Sequence, residues 1–459
     1  MAAAGPLCSS WARAPEAERR RARANVRHLA DLRAGCGADI GEAIIHLGSA
    51  AWQGEGEKVL GGLCDDARRR IFAILGGDGG TVEVIMRIGK MWSVGLAMLL
   101  VLGSAALAQG GYHRGPTSGA QGVRRGHMRS RRGELKVYFV DVEGGQSTLF
   151  VMPGGESLLV DTGSPDSRNP TAPRDATRIA AVCKLAGVTR IDNMVVTHYH
   201  SDHVGGLPQL VGMVPVGRFI DHGENREGAE VQGGAPTVAG YEAYQKVLAE
   251  SHAEHLVVKP GDVLPVKAMR VKVVSGDGEV IASPLAAGGE QNAACAASPL
   301  KDAEGTENDR SLGLVITFGK LRILDLGDLT WAKERALMCP VDKLGKVDVY
   351  IVSHHGLVNS GSPALVDAIA PRVAIMDNGP RKGGAPATFE TIEGSSRLKD
   401  LWQLHTAEGS DAKHNVAESR IANLAGPDAG NTLKLTGRLD GSLSVTNGRT
   451  GETVEYPAP

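Results

Sequence analysis

The segment VVTHYHSDHVGG (residues 195–206) constrains the fold more than any other stretch, because it places four metal-binding side chains within six positions. His198 and His200 follow an apolar run, and Asp202 and His203 come where the chain turns. In an extended chain residues i and i+2 point to the same side, so the first two histidines converge on one point. The alternative is a chance cluster of surface histidines. We predict a site for a borderline divalent cation such as zinc at the end of a buried strand.

Metal-binding residue types also end several other apolar runs in the chain. Each of them is followed by glycine or by a short loop, as the histidine motif is. These residues are Asp161, His222, Asp328, His354 and His355. One of the two adjacent histidines is expected to contact a ligand rather than the metal itself. The alternative for His222 is that it caps a loop. The sequence therefore offers ligands for a second ion at the same edge of the fold.

Short β-rich runs and tight turns fill residues 134–160, and helices and strands then alternate along the chain. A helix is predicted over residues 176–187, where a glycine ends it. Strands that come first and then alternate with helices fit two packed sheets with helices outside better than one doubly wound sheet. We therefore expect an α/β (α+β) fold with two sheets.

These motifs resemble those of the metallo-β-lactamase-fold hydrolases: H-x-H-x-D-H after a buried strand, an upstream D-T-G, a downstream G-D and a late strand that ends in histidine. The segments S-H-H-G and E-N-D-R-S-L-G are similar to the branch that contains ComEC-type competence domains and phosphorylcholine esterase-like enzymes. The resemblance covers about residues 135–443. It implies an αββα sandwich of two mixed β-sheets flanked by helices.

The resemblance also implies that the residues at the strand ends hold two divalent ions, with zinc expected and manganese or iron as alternatives. The implied ligands are His198, His200 and His222 for the first ion, Asp202, His203 and one of His354 and His355 for the second, and Asp328 as a bridge.

Three further residues are implied near the centre. Asp161 would orient a ligating histidine, since a carboxylate behind an imidazole sets its tautomer and direction. Asn308 and Ser311, both in E-N-D-R-S-L-G, would help to position the substrate.

The segment DNGPRKGGAPATF (residues 377–389) stands where the competence-type branch tends to carry N-x-Y-G-H-P. It has no histidine, which weakens the case for a nuclease. Arg381 and Lys382 lie among its glycines and can form a cationic loop that faces a phosphate or carboxylate. A solvated turn is the alternative.

Two metal ions about 4 Å apart supply a bridging hydroxide near neutral pH, because metal coordination lowers the pKa of bound water to roughly 7. Asp202 and His203, ligands of the second ion, are the expected catalytic pair. We expect a metal-dependent hydrolase that acts on a phosphodiester or another small ester or amide. The alternative is a non-catalytic metal-binding domain with a structural or DNA-uptake role.

Charge limits the partners. Residues 134–459 carry 31 Lys and Arg against 41 Asp and Glu, so no broad basic face is available to hold a polyanion. We expect a small-molecule or short phosphodiester substrate and no stable nucleic-acid complex. The sequence leaves the oligomeric state open.

The N-terminal part of the chain resembles a processed leader. Residues 86–108 have the basic start, apolar middle and A-x-A end of a signal peptide, although a membrane anchor is the alternative. Residues 1–85 are expected to be a spurious or disordered extension, because they lack sustained strand or helix periodicity beyond one Arg/Ala-rich helical patch. The rest of the expected organisation is a signal peptide over 86–108, a flexible basic linker over 109–133, a metallo-β-lactamase-fold domain over 134–430 and a β-hairpin extension over 431–459. The mature chain is expected to be periplasmic or secreted, without a membrane span unless the leader stays as an anchor.

Three cysteines, Cys183, Cys295 and Cys339, lie in the expected mature chain. Export would permit one disulfide, but nothing in the sequence selects a pair. Cys183 and Cys339 fit small buried apolar residues in helical segments.

Overall fold

The computed structural model divides the chain into two compact units, Met1–Val123 and Arg124–Pro459. The residues that the structure describes are 58–63, 69–75, 83–88, 133–165, 173–231 and 234–459. The linker predicted over 109–133 therefore lies outside the described residues, apart from its last residue, Gly133.

The first unit contains a three-stranded antiparallel sheet. Its strands, paired in chain order, are β1 (Lys58–Leu63), β2 (Arg69–Leu75) and β3 (Glu83–Ile88). Strands β1 and β2 and the start of β3 lie in the extension expected over residues 1–85, and its spurious or disordered nature stays a prediction. Residues 89–108 of the predicted signal peptide lie outside the described residues, so the leader stays a prediction.

The second unit contains a nine-stranded sheet with the order β20-β19-β18-β4-β5-β6-β7-β8-β9. Its strands are β4 (Glu134–Phe139), β5 (Thr148–Val151), β6 (Ser157–Val160), β7 (Asn193–Val195), β8 (Arg218–Asp221), β9 (Glu254–Val257), β18 (Leu433–Arg438), β19 (Leu443–Asn447) and β20 (Thr453–Tyr456). Strands β6 to β9 are parallel, so their carboxyl ends lie at the same edge of the sheet.

An eight-stranded sheet, of order β11-β10-β12-β13-β14-β15-β16-β17, forms the other half of the unit. Its strands are β10 (Arg270–Gly276), β11 (Glu279–Val280), β12 (Gly313–Phe318), β13 (Leu321–Asp325), β14 (Val349–Ile351), β15 (Val373–Met376), β16 (Asp400–His405) and β17 (Ile421–Asn423). Strands β13 to β17 are parallel.

Alternating side chains divide the hydrophobic core into layers, because successive residues of a strand point to opposite faces. In β4, Val137 and Phe139 join the core that both sheets share, whereas Tyr138 joins the core beneath the outer helices. In β13, Ile323 joins the shared core and Leu324 packs beneath the helices of the second sheet.

Helices cover the outer faces of both sheets. They are α1 (Arg174–Ala186), α2 (Ser201–Val204), α3 (Leu207–Leu210) and α4 (Gly234–Glu250) on the first sheet, and α5 (Trp331–Met338), α6 (Pro363–Ile369) and α7 (Pro386–Glu393) on the second. Helix α1 ends where expected, since Gly187 takes the left-handed conformation, with φ of 78°. The arrangement confirms the predicted sandwich of two mixed sheets flanked by helices.

The C-terminal strands belong to the larger sheet. Strand β18 pairs antiparallel with β4, with Leu433 opposite Phe139, and β19 and β20 continue from it. Residues 431–459 therefore extend the edge of the sheet rather than form a detached module. Across the described part of the chain, no helix has both the length and the apolar character that a membrane crossing requires.

The structure pairs two of the three cysteines. Cys295 and Cys339 form a disulfide across 44 residues of sequence, and Cys183 is free and buried in α1. The expectation of a buried apolar role therefore fits Cys183 but is wrong for Cys339. Cys339 directly follows α5, where its side chain meets the loop that contains Cys295.

Candidate metal centre

The predicted ligands lie where parallel strands of both sheets end. The histidine motif follows β7 of the nine-stranded sheet and continues into α2. Asp328 follows β13, and His354 and His355 follow β14 of the other sheet. The carboxyl ends of parallel strands in such sheets border the crevice where ligands bind.

One compact group unites ligands from the two sheets. Its members, whose donor atoms all lie within 4.8 Å of one another, are Asp202, His203, Asp328 and His355. The Nε2 atom of His203 lies 3.3 Å from Nε2 of His355, 3.3 Å from Oδ2 of Asp202 and 3.2 Å from Oδ2 of Asp328. The Nε2 atom of His355 lies 3.2 Å from Oδ2 of Asp202 and 3.5 Å from Oδ1 of Asp328.

These separations fit a four-coordinate cation. Ligand atoms at about 2.0–2.2 Å from a tetrahedral ion lie roughly 3.4 Å from one another. The separations from His203 and His355 to their neighbours fall between 3.2 and 3.5 Å. The donor set of two imidazoles and two carboxylates also suits zinc, iron or manganese. The group therefore matches a metal site in both spacing and chemistry.

A second, looser group surrounds the other side of Asp328. Nε2 of His198 lies 3.1 Å from Nδ1 of His200 and 3.9 Å from Oδ2 of Asp328. Nε2 of His354 lies 3.4 Å from the same carboxylate oxygen. Asp328 thus faces both groups, which is the position expected of a bridging ligand.

The structure does not bring His222 to either group. Its Nε2 atom lies 3.1 Å from Oε2 of buried Glu307, and its ring packs against Tyr199 with centroids 4.8 Å apart. Within the described residues it has no recorded contact with His198, His200 or Asp328. Its position after a buried strand matches the expectation, but its side chain is engaged elsewhere.

A single carboxylate orients two histidines of the motif. Asp161 accepts a hydrogen bond from Nδ1 of His203 at 2.7 Å and from the Thr197 hydroxyl at 2.6 Å. Because that hydroxyl has given its only hydrogen to Asp161, it can only accept from Nδ1 of His198, 3.0 Å away. Both histidines therefore turn Nε2 toward the centre, where it is the nitrogen that a metal would bind.

Two more histidines have an acceptor behind the ring. Glu227 lies 3.2 Å from Nε2 of His200 and leaves Nδ1 to face the centre. The Ser360 hydroxyl donates to the carbonyl of Leu329 and lies 3.3 Å from Nδ1 of His354, so it accepts from that nitrogen. Nε2 of His354 is thereby free to bind a cation at Asp328.

The adjacent histidines have an unusual backbone. His354 and His355 both take left-handed conformations, with φ of 54° and 55°. Such conformations cost of order 1–3 kcal/mol each and cluster at functional sites. Here they turn the two rings toward different oxygens of Asp328. Behind His355, Oδ1 of Asp377 lies 3.4 Å from Nδ1.

The protonation behaviour of the centre fits a bound cation. Burial lowers the pKa of His355, but the carboxylates of Asp328, Asp377 and Asp202 together outweigh burial and raise that pKa to about 10. Burial raises the pKa of Asp328, but His203 and His354 reverse this and hold it well below its usual range. The carboxylates thus favour protonated imidazoles at His203 and His355, whereas burial lowers the pKa of His198 and His354. Metal binding at such a centre releases these protons.

Several buried polar atoms near the centre have no hydrogen-bond partner among the described residues: Oδ1 of Asp328, Oδ1 of Asn308 and Oγ of Ser311. Buried polar groups are normally paired, so such atoms mark places where a ligand belongs. The segment that contains Asn308 and Ser311 adjoins the motif, since the next residue, Leu312, donates to the carbonyl of Thr197.

The predicted cationic loop sends only one of its side chains to the centre. Arg381 is 87% exposed and pairs with Glu408 at 3.0 Å. Lys382 instead forms an ion pair with Asp202. The two residues are adjacent, so the turn between them directs their side chains to different surroundings.

Some supporting residues carry no clear sequence signal. Glu227 and Glu307 lie in different loops and meet only in the fold, where the backbone N–H of Glu307 donates to Glu227 at 2.7 Å. Ser360 is one of several serines in its loop. Asp377 directly follows β15 and was detectable by the same strand-end rule that selected Asp161.

Comparisons with known proteins give one relative and several solved structures. The chain is 37% identical over 71 residues to the lactamase-like protein notP of Aspergillus sp. (strain MF297-2), a match that spans 16% of this chain and 20% of that protein. The chain thus matches about a fifth of the length of this relative.

The structures include CmlA, a diiron β-hydroxylase from Streptomyces venezuelae, with 14% identity, a TM-score of 0.29, and coverage of 59% of this chain and 48% of that chain. They also include a diphosphatase from the PhnP family, with 14% identity, a TM-score of 0.31, and coverage of 66% of this chain and 98% of that chain.

The sequence profile described as the metallo-beta-lactamase superfamily matches residues 140–376, which is just over half of the chain. The matched range contains the histidine motif as well as Asp328, His354 and His355. By this match the chain belongs to the metallo-β-lactamase superfamily.

Proposed function

We propose that this protein is an exported, metal-dependent hydrolase whose two-ion centre acts on a phosphodiester or another small ester or amide. One observation carries the proposal: five histidines and two aspartates converge from two sheets, and for four of the histidines an acceptor at one ring nitrogen leaves the other nitrogen free to bind a metal. A centre without a metal-binding role has no need of so many rings oriented in this way.

The geometry supports a specific division of the ligands. Asp202, His203 and His355 hold one ion, and Asp328 is shared between the two. His198 and His200 hold the other ion, for which His354 is a better third imidazole than His222. The Nε2 atom of His354 already faces Asp328.

When bound, divalent ions at this centre would lower the pKa of water to about 7 and would supply a hydroxide nucleophile at neutral pH. The chain itself fixes the positions of the ligands. It also shields the metal-binding atoms from solvent, since His198, His203 and Asp328 are buried. Two ligand side chains are more exposed than these three, His200 at 21% and Asp202 at 19%, so the centre opens on the side of both residues. A substrate that enters there reaches the second ion beside Asp202.

Two observations support export. Residues 86–108 have the pattern of a signal peptide. The disulfide between Cys295 and Cys339 is of the kind that persists in oxidising compartments. The narrower resemblance to ComEC-type and phosphorylcholine esterase-like proteins rests on S-H-H-G and E-N-D-R-S-L-G and is part of this proposal.

The proposal is tested on protein purified with its disulfide intact, loaded with zinc, manganese or iron. Metal content is measured together with turnover of a chromogenic phosphodiester, a lactone and a cephalosporin. We expect close to two ions per chain and turnover that is lost on chelation and restored by metal. His252→Ala is the control, because His252 is exposed. Full metal content with no turnover of any substrate favours the non-catalytic alternative.

A further inference from the structure

We propose that Lys382 forms an anion-binding subsite beside Asp202, and that the substrate carries a negatively charged oxygen next to the bond that is cleaved. This inference rests on the proposed function and narrows it to anionic substrates. The anionic group is a phosphoryl or a carboxylate oxygen, both of which a lysine ammonium binds.

Two loops hold the backbone of Lys382 in place. The loop over residues 142–146 and the loop over residues 377–384 meet so closely that a side chain on Gly379 would lie 2.3 Å from the carbonyl oxygen of Glu143. A side chain on Gly144 would meet the Cβ atom of Lys382 at 2.9 Å. The N–H of Gly379 also donates to the carbonyl of Lys382 at 2.9 Å and closes the turn.

The same two loops contact the backbone of residues that face the metal centre. A side chain on Gly145 would lie 2.2 Å from the carbonyl oxygen of Asp202, and one on Gly383 would lie 2.0 Å from that of His355. The N–H of Gly384 donates to the carbonyl of His355 at 2.9 Å. The position of Lys382 is therefore tied to the two strand ends that supply the ligands.

Asp202 has partners other than Lys382. Its carboxylate already has His203 at 3.3 Å and His355 at 3.2 Å, and it is a proposed ligand of a divalent ion. Among the residues that the structure describes, no other lysine or arginine forms a recorded ion pair with a proposed ligand. Lys382 thus adds a positive charge that the ligand set does not require.

The ammonium of Lys382 has more N–H donors than it has acceptors among the described residues. It carries three N–H groups, and Asp202 is the only hydrogen-bond partner recorded for it within the described residues. The side chain of Lys382 is 37% exposed, against 19% for that of Asp202. Its remaining donors therefore face the opening through which a substrate reaches the second ion.

A structural ion pair is the competing explanation, and two variants of the same loop test it. Arg381 is the matched control. It is the neighbouring cation of the same loop, yet it pairs with Glu408 outside the centre. Lys382→Met and Arg381→Met each remove one positive charge from this loop and differ in whether the charge lies beside Asp202.

The experiment uses metal-loaded protein and three substrates: bis(4-nitrophenyl) phosphate, a chromogenic cephalosporin that carries a carboxylate, and an uncharged 4-nitrophenyl ester. For Lys382→Met we expect KM to rise at least tenfold for an anionic substrate, as the loss of one charge-assisted hydrogen bond implies. We expect less than a twofold change for the uncharged ester, an unchanged metal content, and wild-type values for Arg381→Met. The anionic substrate whose KM rises more shows whether Lys382 binds a phosphoryl or a carboxylate oxygen.

Binding of inorganic phosphate, measured by calorimetry, separates this inference from the proposed function. We expect Lys382→Met to weaken phosphate binding at least tenfold even where no substrate is turned over. Equal phosphate binding by Lys382→Met and wild type overturns the inference. An equal loss for the uncharged ester, or a loss of metal from Lys382→Met, also overturns it, because Lys382 would then support the centre rather than bind the substrate.

Discussion

Separate replacement of His354 and His222 distinguishes the two possible third ligands of the first ion. In His354→Ala the carboxylate of Asp328 keeps His203 at 3.2 Å, so the metal-free fold loses little. The ion, however, loses a direct ligand. Changes to residues behind a ligand already lower metal affinity 10–100-fold. We therefore expect His354→Ala to weaken binding of the first ion by about 100-fold or more.

The opposite pattern is expected for His222→Ala. Glu307 is fully buried, and His222 is the hydrogen-bond partner recorded for its Oε2 atom. Leaving a buried group without its hydrogen-bond partner costs roughly 1–3 kcal/mol. His222→Ala should therefore lower the free energy of unfolding by that amount and keep both ions. His222→Gln restores a donor toward Glu307 and should recover most of the loss.

The assay combines urea unfolding of the metal-free proteins with calorimetric titration of metal into each variant. His252→Ala, at an exposed histidine, provides the baseline for both measurements. If His222→Ala binds one ion fewer while His354→Ala binds both with wild-type affinity, the geometric assignment is refuted. The ligand set implied by the sequence resemblance then stands instead.

Three further predictions concern stability and processing. Burial raises the pKa of Glu334 from its ordinary value of 4.5 to about 7 in the folded state. Between these two pH values the folded state keeps a proton that the unfolded state releases. The free energy of unfolding should therefore fall by about 3 kcal/mol between pH 4.5 and 8. Glu334→Gln should flatten this dependence in urea titrations, and an unchanged slope would contradict it. The disulfide closes a loop with a separation of 44 residues, so Cys295→Ser with Cys339→Ser should cost about 4 kcal/mol of unfolding free energy; equal unfolding midpoints for the variant and the oxidised protein would disprove this. Mass spectrometry of the native protein should find its N-terminus near residue 109, and one upstream of residue 86 would exclude the signal peptide.

The fold could be predicted because its signals are local. Alternating apolar residues mark the strands, and a glycine marks the end of α1 at the expected place. The position of the histidine motif could also be predicted, because a strand that ends at a sheet edge must present its next residues there. Asp328 was accessible by the same reasoning, since it follows β13 directly.

The directions of side chains could not be predicted in this way. His222 and His354 both follow apolar strands, but only the backbone around each decides where its ring points. The left-handed conformations of His354 and His355 have no sequence signature, because neither residue is glycine. The Glu227–Glu307 contact and the disulfide each depend on two loops that meet only in the folded chain.

The pairing of β18 with β4 has a consequence for how the protein folds. Arg438 lies opposite Glu134, so β4, which pairs with β5 on one side, gains its neighbour on the other side only when the last strands have been made. Contacts between such distant parts of a chain form slowly, because a long loop must close first. Until then β4 is an unprotected edge open to pairing with other chains. For a protein threaded across a membrane as proposed, this late closure keeps the domain incomplete until its C-terminal end has crossed.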